Sequence, residues 1–423
     1  MTSPCLAPNL DLAGPSETPH LKTRLASLVQ RTPPAELIKR QLPVAKFSAF
    51  LACALLGAAL GYTGEHLARP YFLGFHHQPW PVILSLIAPL FLWFVAVGWH
   101  ELGHVIGGWL GGGNFLLWVA GPFMVRRTPA GLRLAWNRSV NLTGGMAVCT
   151  PLDPAQVSAR RMAGMTAGGP LASLLLAFAA IWLAGAWDFS LSPLRILGQN
   201  VLMELGLISA LLYLVTAWPG TAGGFKTDGK RMLDLLRAGA SSDQESALLV
   251  LTSASLAGIR PSAYDPALVT RAIALKDGSL FDTYGHLMVY HHAADRGHWA
   301  AAQACLDHAV AGAARLPVMM RDIVLCEYAW LLAAHTAEVA AARTWLDAAG
   351  KLDFDPATRL RAEAAVLLAE NQLPAAAAAA RQGLQALRER SLSPVESPFA
   401  REALEHLLTR ATSPTTHPLN PAG

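Results

Sequence analysis

His100 and His104 stand four residues apart in the run WHELGHVIGG, and Glu101 follows the first of them. Residues four apart lie on one face of a helix, so both imidazoles can reach a single tetrahedral zinc ion. Glu101 would then stand beside a water molecule that the zinc activates, in the position of a general base. The pattern predicts one catalytic zinc ion, with His100 and His104 as metal ligands and Glu101 as the catalytic residue.

The element that carries this pattern is one of four long apolar segments in the first half of the chain. A helix needs about 17–25 residues to cross a bilayer, and the four segments lie at 47–64, 81–110, 162–187 and 197–218. Two histidines and a glutamate inside such a helix cost several kcal/mol unless they have partners, so they indicate a functional site. The alternative is a polar cluster that packs helices and binds no metal.

Basic residues predict the orientation of these segments. Lysines and arginines are frequent before the first segment, in the loop 111–161 and after the fourth segment, whereas the connections 65–80 and 188–196 contain one arginine each. Loops with an excess of Lys and Arg stay in the cytoplasm. We therefore expect four crossings, both termini in the cytoplasm, and His100 and His104 in the cytoplasmic part of the second segment.

A catalytic zinc site needs a third protein ligand and leaves a fourth position open for water. Asp228 is the predicted ligand, because it follows the cytoplasmic end of the fourth segment at the depth of the histidines. Glycines and Pro219 before it allow non-helical backbone, which is tolerated at membrane depth where it lines a polar cavity. Two alternatives stay open. Asp228 could cap the helix that follows it, or Glu204, the only acid within the fourth segment, could be the ligand.

Two further patterns concern the surroundings of this site. FMVRR and LRLAW flank a TPAG turn and predict a cytoplasmic β-hairpin at 122–136. Small residues spaced four apart form stripes on the second and third segments: Gly103, Gly107 and Gly111, and Gly164, Gly168 and Ala172. Such stripes let helices approach closely in lipid, so the third segment would form a wall against the zinc helix. Generic packing of small residues is the alternative.

From about residue 240 the chain is rich in alanine and has helical periodicity with a weak internal repeat. WAAAQACLDHA (299–309) aligns with VAAARTWLDAA (339–349) and with AAAARQGLQAL (377–387), and another helix-like stretch precedes each copy. Repeated helix pairs predict an α-solenoid similar to tetratricopeptide repeats, a fold that offers a concave surface to protein partners. An ordinary bundle of alanine-rich helices is the alternative.

The composition fits a membrane half followed by a soluble half. Hydrophobic residues make up 53% of the chain and charged residues only 15%, against about 25% charged in soluble domains. The net charge of +4 does not indicate a nucleic-acid partner, and the cysteines form no CxxC pair that could bind zinc. We expect a disordered cytoplasmic tail at 1–45, a transmembrane zinc domain at 46–238, a cytoplasmic helical domain at 239–412 and a disordered tail at 413–423.

Three motifs connect the segment 45–235 with a known family. HELGH at 100–104, GGPLAS at 168–173, and Pro219 followed by TDG at 227–229 occur in this order. In these motifs the chain resembles the site-2 protease family of intramembrane zinc metalloproteases. The resemblance implies regulated cleavage of membrane-anchored proteins within or near their transmembrane helix.

The resemblance also implies roles for individual residues. The implied zinc ligands are His100, His104 and Asp228, and the implied base is Glu101. The implied substrate-binding residues are Gly169, Pro170 and Ser173. The family usually has Asn at the position of Ser173 and LDGG where this chain has TDGK. The hairpin at 122–136 resembles family strands that pair with an unwound substrate.

The expected fold class is an all-α membrane protein with about four transmembrane helices, a small cytoplasmic β-hairpin and a soluble α-solenoid-like domain. The expected function is that of a multi-pass zinc metalloendopeptidase of the bacterial inner membrane, acting on a membrane-anchored substrate, with a cytoplasmic partner on its helical repeats. One alternative is a membrane scaffold or pseudoprotease that binds partners through these repeats. Another is a soluble-type zinc protease anchored in the membrane, with its third ligand elsewhere.

Overall fold

A computed structural model describes the chain over 32–34, 37, 79–128, 131–137, 144–150, 158–186, 193–222, 225–237, 239–316, 318–336, 338–350, 352, 355–390 and 397–413. The predicted apolar segment at 47–64 and nearly all of the predicted tails at 1–45 and 413–423 lie outside these residues. The described chain is mostly helical and contains a small antiparallel sheet of four strands. The coarse prediction of a helical protein with a small β element is confirmed.

Three long helices carry the predicted second, third and fourth apolar segments: α1 (Pro79–Leu110), α2 (Ala159–Ala186) and α3 (Pro193–Ala217). Within the described residues, two stretches are long and apolar enough to cross a membrane, Ala88–Leu110 and the whole of α2. The described apolar stretch of α3, Val201–Ala217, is shorter. At 1.5 Å per residue it is about 25 Å long, against about 30 Å of hydrocarbon. Two of the predicted spans, and not four, are therefore candidates within the described part of the chain.

Helices α1 and α2 pack with their backbones in contact. A Cβ atom placed on Gly103 would lie 2.2 Å from the carbonyl oxygen of Gly168, and one on Gly168 would lie 2.2 Å from the carbonyl oxygen of Gly103. The predicted packing of small residues is thus observed between these helices. Their outer faces carry large exposed apolar side chains, among them Leu90, Phe91, Trp109, Leu175, Phe178 and Trp182.

The four-stranded sheet follows α1 and consists of β1 (Asn114–Ala120), β2 (Phe123–Thr128), β3 (Gly131–Trp136) and β4 (Met146–Thr150). Its order is β3-β2-β1-β4. The predicted hairpin corresponds to β2 and β3 and is confirmed by their antiparallel register. Strands β1 and β4 were not predicted. β1 packs on α1, where the Trp118 indole nitrogen donates a hydrogen bond to the Gly98 carbonyl oxygen (3.0 Å).

After α3 the chain forms a short hairpin, in which Thr221–Ala222 pairs with Phe225–Lys226, and enters the helix α4 (Asp228–Leu236). The helical domain then comprises α5 (Ala240–Leu256), α6 (Pro266–Ala272), α7 (Leu280–Asp295), α8 (Trp299–Gly312), α9 (Val318–Leu331), α10 (Val339–Ala348), α11 (Pro356–Ala369), α12 (Leu373–Arg390) and α13 (Pro398–Thr412). The three predicted repeat copies fall on α8, α10 and α12, and each packs against the helix before it. One apolar core runs from α5 to α13.

Candidate metal centre

His100 and His104 lie on one face of α1 near its end, and both are buried. Their rings are nearly perpendicular, with an interplanar angle of 87° and centroids 4.8 Å apart. Both Nε2 atoms face the carboxylate of Asp228, with His100 Nε2 3.2 Å from Oδ2 and His104 Nε2 3.6 Å from Oδ1. The structure therefore brings together the three side chains that were predicted as metal ligands.

The other ring nitrogens of the two histidines are held by α2. His104 Nδ1 donates a hydrogen bond to the carbonyl oxygen of Met165 (2.9 Å), and His100 Nδ1 lies 2.9 Å from the hydroxyl oxygen of Ser173, which is fully buried. A carbonyl oxygen can only accept, so His104 carries its proton on Nδ1. Metal-ligating histidines are oriented in the same way by hydrogen bonds from the nitrogen that does not bind the metal.

With the proton of His104 on Nδ1, the unprotonated Nε2 faces the Asp228 carboxylate, so two hydrogen-bond acceptors lie opposite each other. A neutral His104 presents the lone pair of Nε2 to a carboxylate oxygen, and two acceptors at this distance repel each other unless a cation or a proton lies between them. Ligands of a tetrahedral zinc ion with bonds near 2.0–2.1 Å are about 3.3 Å apart. The contacts of Asp228 with the two rings, at 3.2 and 3.6 Å, are close to that spacing but run to different oxygens of the carboxylate. One ligand atom from each of the three residues lies within 4.8 Å of the others, so the cluster could hold a metal ion, and its donor types are those that zinc accepts.

Asp228 is free to face the histidines because another residue caps α4. The N-cap is Thr227, whose Oγ1 accepts from the backbone nitrogen of Lys230 (3.4 Å) and donates to the carbonyl oxygen of Trp218 (2.6 Å). The alternative in which Asp228 caps this helix is therefore not observed. Gly229 allows the first turn of α4 to press against the end of α3, since a Cβ atom there would lie 1.9 Å from the Ala217 carbonyl oxygen.

Glu101 lies next to the ligand cluster without being one of its three members. Its side chain is buried and interacts electrostatically with His104 and Asp228. The backbone before β4 closes over it, because a Cβ atom on Gly145 would lie 2.5 Å from Glu101 Oε1. Gly145 also has a φ of +104°, which a larger residue rarely adopts. A buried carboxylate beside the ligands is positioned to act as a general base.

Gly169 and Pro170 lie in the middle of α2 and are buried. A Cβ atom on Gly169 would lie 2.3 Å from His104 Nε2 and 2.8 Å from His100 Nε2, so only glycine leaves room for the two rings. The role of Gly169, Pro170 and Ser173 in substrate binding stays a prediction. The contact that the structure shows for Ser173 is with a metal ligand, a role that its sequence motif does not reveal.

A second cluster of the same residue types lies in the helical domain, with Asp282 and His286 on α7 and His308 on α8, and it too could hold a metal ion. Its rings are stacked, with centroids 3.7 Å apart and an interplanar angle of 21°. His286 Nδ1 and His308 Nε2 lie 3.0 and 3.3 Å from the Asp282 carboxylate. His286 Nδ1, however, also donates a hydrogen bond to the Asp282 carbonyl oxygen (2.9 Å), so this nitrogen carries a proton and has no lone pair to offer a metal. Asp282 Oδ2 also accepts a hydrogen bond from the backbone nitrogen of Gly278 (2.8 Å), which offsets part of the cost of burying this carboxylate without a metal. The geometry therefore favours the first cluster.

Glu204, the rival ligand, lies in α3 and belongs to neither of these clusters. A comparison of this chain with protein-family models, curated proteins and solved structures finds no match. The resemblance to the site-2 protease family therefore rests on the three sequence motifs, and the argument for a function rests on the geometry of the site.

Proposed function

We propose that this chain is an intramembrane zinc metalloendopeptidase that cleaves membrane-anchored proteins. The observation that carries the proposal is the position of Asp228, whose carboxylate lies within 3.6 Å of a ring nitrogen of both His100 and His104. Two imidazoles and one carboxylate are a donor set of catalytic zinc sites, which keep a fourth position open. Zinc held by these residues would supply a Lewis acid and would lower the pKa of a water molecule to about 7.

The protein's own residues complete the proposed reaction. Glu101 removes a proton from the attacking water and returns it to the leaving amine of the cleaved peptide bond. The hydroxyl of Ser173 and the carbonyl of Met165 keep the histidine rings in place, so the ligands need no reorganisation during catalysis. Gly169 lets the α2 backbone approach the ligands, which narrows the space around the site.

The exposed edge of the sheet offers a way to hold substrate. β3 is an edge strand of the sheet, and its side chains Leu132, Leu134 and Trp136 are exposed. An unwound substrate segment could add to this edge as a further strand, with backbone hydrogen bonds that do not depend on its sequence. Such pairing would present an extended peptide bond to the metal centre.

The proposed location is a bacterial inner membrane, with both termini in the cytoplasm. Support comes from the two helices that are long and apolar enough to span, and from the basic residues that flank them. We further propose that α3 and the segment 47–64 cross the membrane, in the case of α3 with local thinning of the bilayer. The tandem helix pairs of the helical domain would act as tetratricopeptide-like repeats that recruit a cytoplasmic partner.

The test is zinc content and proteolysis of purified wild type and Glu101→Gln in liposomes, with a model single-span substrate. We expect one zinc per chain in both proteins and cleavage by the wild type alone. Glu204→Gln is the matched control for loss of a carboxylate and should keep both zinc and activity. Zinc in both proteins with cleavage by neither would favour the scaffold alternative. A wild type without zinc would refute the proposal.

A further inference from the structure

The buried carboxylate of Glu245 joins the segment that carries Asp228 to the helical domain. Glu245, on α5, has a side chain that is 1% exposed and accepts hydrogen bonds from two cations. Lys226 Nζ lies 2.9 Å from its Oε2, and Arg231 Nε lies 2.8 Å from its Oε1. Lys226 precedes Asp228 by two residues and Arg231 follows it by three, so Glu245 holds the chain on both sides of the metal ligand.

Glu245 is itself fixed to the helical domain. Gln244, its neighbour on α5, donates a hydrogen bond to the carbonyl oxygen of Ala272 at the end of α6 (3.0 Å). Leu248 and Leu251, one and two turns further along, are buried in the core that extends to α13. On the other side of the junction, the Lys226 ammonium also lies over the ring of Phe281 on α7, 4.8 Å from its centroid. The cations around Asp228 therefore contact two helices of the helical domain.

We infer that Glu245 is a positioning residue for the metal site, so that the helical domain sets the affinity of the site for zinc. This inference rests on the proposed function and deepens it. Leu235 of α4 packs against Met162 and Ala163 of α2, and Gly229 packs against the end of α3. The buried Glu245 carboxylate adds a constraint from the helical domain, because it joins the cations on both sides of Asp228 to α5. By thermodynamic linkage, whatever moves α5 away from α4 must weaken zinc binding, and zinc must strengthen the junction by the same factor.

The experiment compares wild type, Glu245→Gln and Glu327→Gln, all as full chains in detergent micelles. Glu327 is the matched control, because it is equally buried in the helical domain but pairs with Arg361, away from the Asp228 segment. The first readout is the zinc dissociation constant, measured by competition with a chelator. The second is amide hydrogen exchange of the peptide 225–237 in the metal-free protein.

For Glu245→Gln we expect a zinc dissociation constant raised about tenfold, the lower end of the effect of outer-shell partners, and faster exchange in 225–237. Glu327→Gln should change neither quantity, although it destabilises the helical domain. At saturating zinc, Glu245→Gln should lower kcat and leave KM near the wild-type value, since the substrate edge of the sheet is untouched. Glu245→Asp keeps the charge and should recover part of the affinity.

Equal zinc affinity and equal exchange in wild type and Glu245→Gln would overturn the inference and leave the proposed function standing. Equal weakening by Glu245→Gln and Glu327→Gln would also overturn it, because the effect would then be general loss of stability. A wild type that binds no zinc would overturn the proposed function, and the inference with it.

Discussion

Gly169→Ala tests how closely the backbone of α2 must approach the two histidine rings. In an ordinary helix interior this change stabilises the protein by about 1 kcal/mol, because alanine has the higher helix propensity. Here the added Cβ would lie 2.3 Å from His104 Nε2, and this distance must grow by about 1 Å to reach the 3.4 Å at which ordinary van der Waals contact begins. Zinc–ligand distances tolerate only about 0.2 Å, so His104 would be lost as a ligand.

We expect Gly169→Ala to raise the zinc dissociation constant at least about 100-fold, more than the usual loss of an outer-shell partner. The His104 ring must move in the metal-free protein as well, so this cost offsets the gain in helix propensity and the unfolding temperature should not rise. Gly164→Ala is the matched control, since it lies on the same helix with no atom within 4 Å of the added Cβ. It should leave zinc affinity unchanged. The measurement is chelator competition for zinc, with thermal unfolding of both metal-free variants. Wild-type affinity in Gly169→Ala would show that zinc does not depend on this ring position.

Other changes test the neighbouring contacts. Ser173→Ala removes the oxygen next to His100 Nδ1 and should raise the zinc dissociation constant about 10- to 100-fold. Ser173→Thr keeps a hydroxyl group and should not raise it. Equal zinc affinity in both variants would contradict the role of Ser173 in orienting His100. Glu327→Gln should lower the free energy of unfolding of the helical domain by about 3–5 kcal/mol, measured by urea denaturation, because Arg361 stays buried without its anion. Burial alone would raise the pKa of Glu327, but the charges of Arg361 and His291 lower it to about 2. This ion pair should therefore stabilise the domain fully above about pH 4.5 and progressively less as the pH falls towards 2; a pH-independent stability in this range would contradict the assignment.

The ligands on α1 could be predicted from the sequence because their geometry is local. Two residues four apart on a helix share a face whatever surrounds them. Asp228 required a topology argument, and the structure places its carboxylate against both histidines. The contact between Ser173 and His100 could not be predicted, since it depends on the rotation of α2 about its axis against α1. The role of Thr227 as the helix cap was also missed, because Asp228 is an equally good cap by residue type.

The fold shows the same division between local and non-local features. The hairpin of β2 and β3 was predicted because strands with a turn between them form a local pattern. The run NFLLWVA of β1 shows no alternation of apolar and polar residues, and its pairing with β4 is visible only in the folded chain. The fourth apolar segment was predicted at 197–218 from its low charge, and its described apolar stretch, Val201–Ala217, lies at the lower limit of about 17 residues for a crossing. The stacked rings of His286 and His308 likewise depend on how α7 packs against α8.

The most direct test is the zinc content of three purified proteins: wild type, Asp228→Asn and Asp282→Asn. Each variant removes one carboxylate charge from one of the two His/Asp clusters, so the pair forms a matched comparison. Metal per chain would be measured by elemental analysis after washing with a weak chelator. We predict one zinc per chain in wild type and Asp282→Asn, and almost none in Asp228→Asn. Zinc retained by Asp228→Asn and lost from Asp282→Asn would contradict the assignment of the metal to His100, His104 and Asp228.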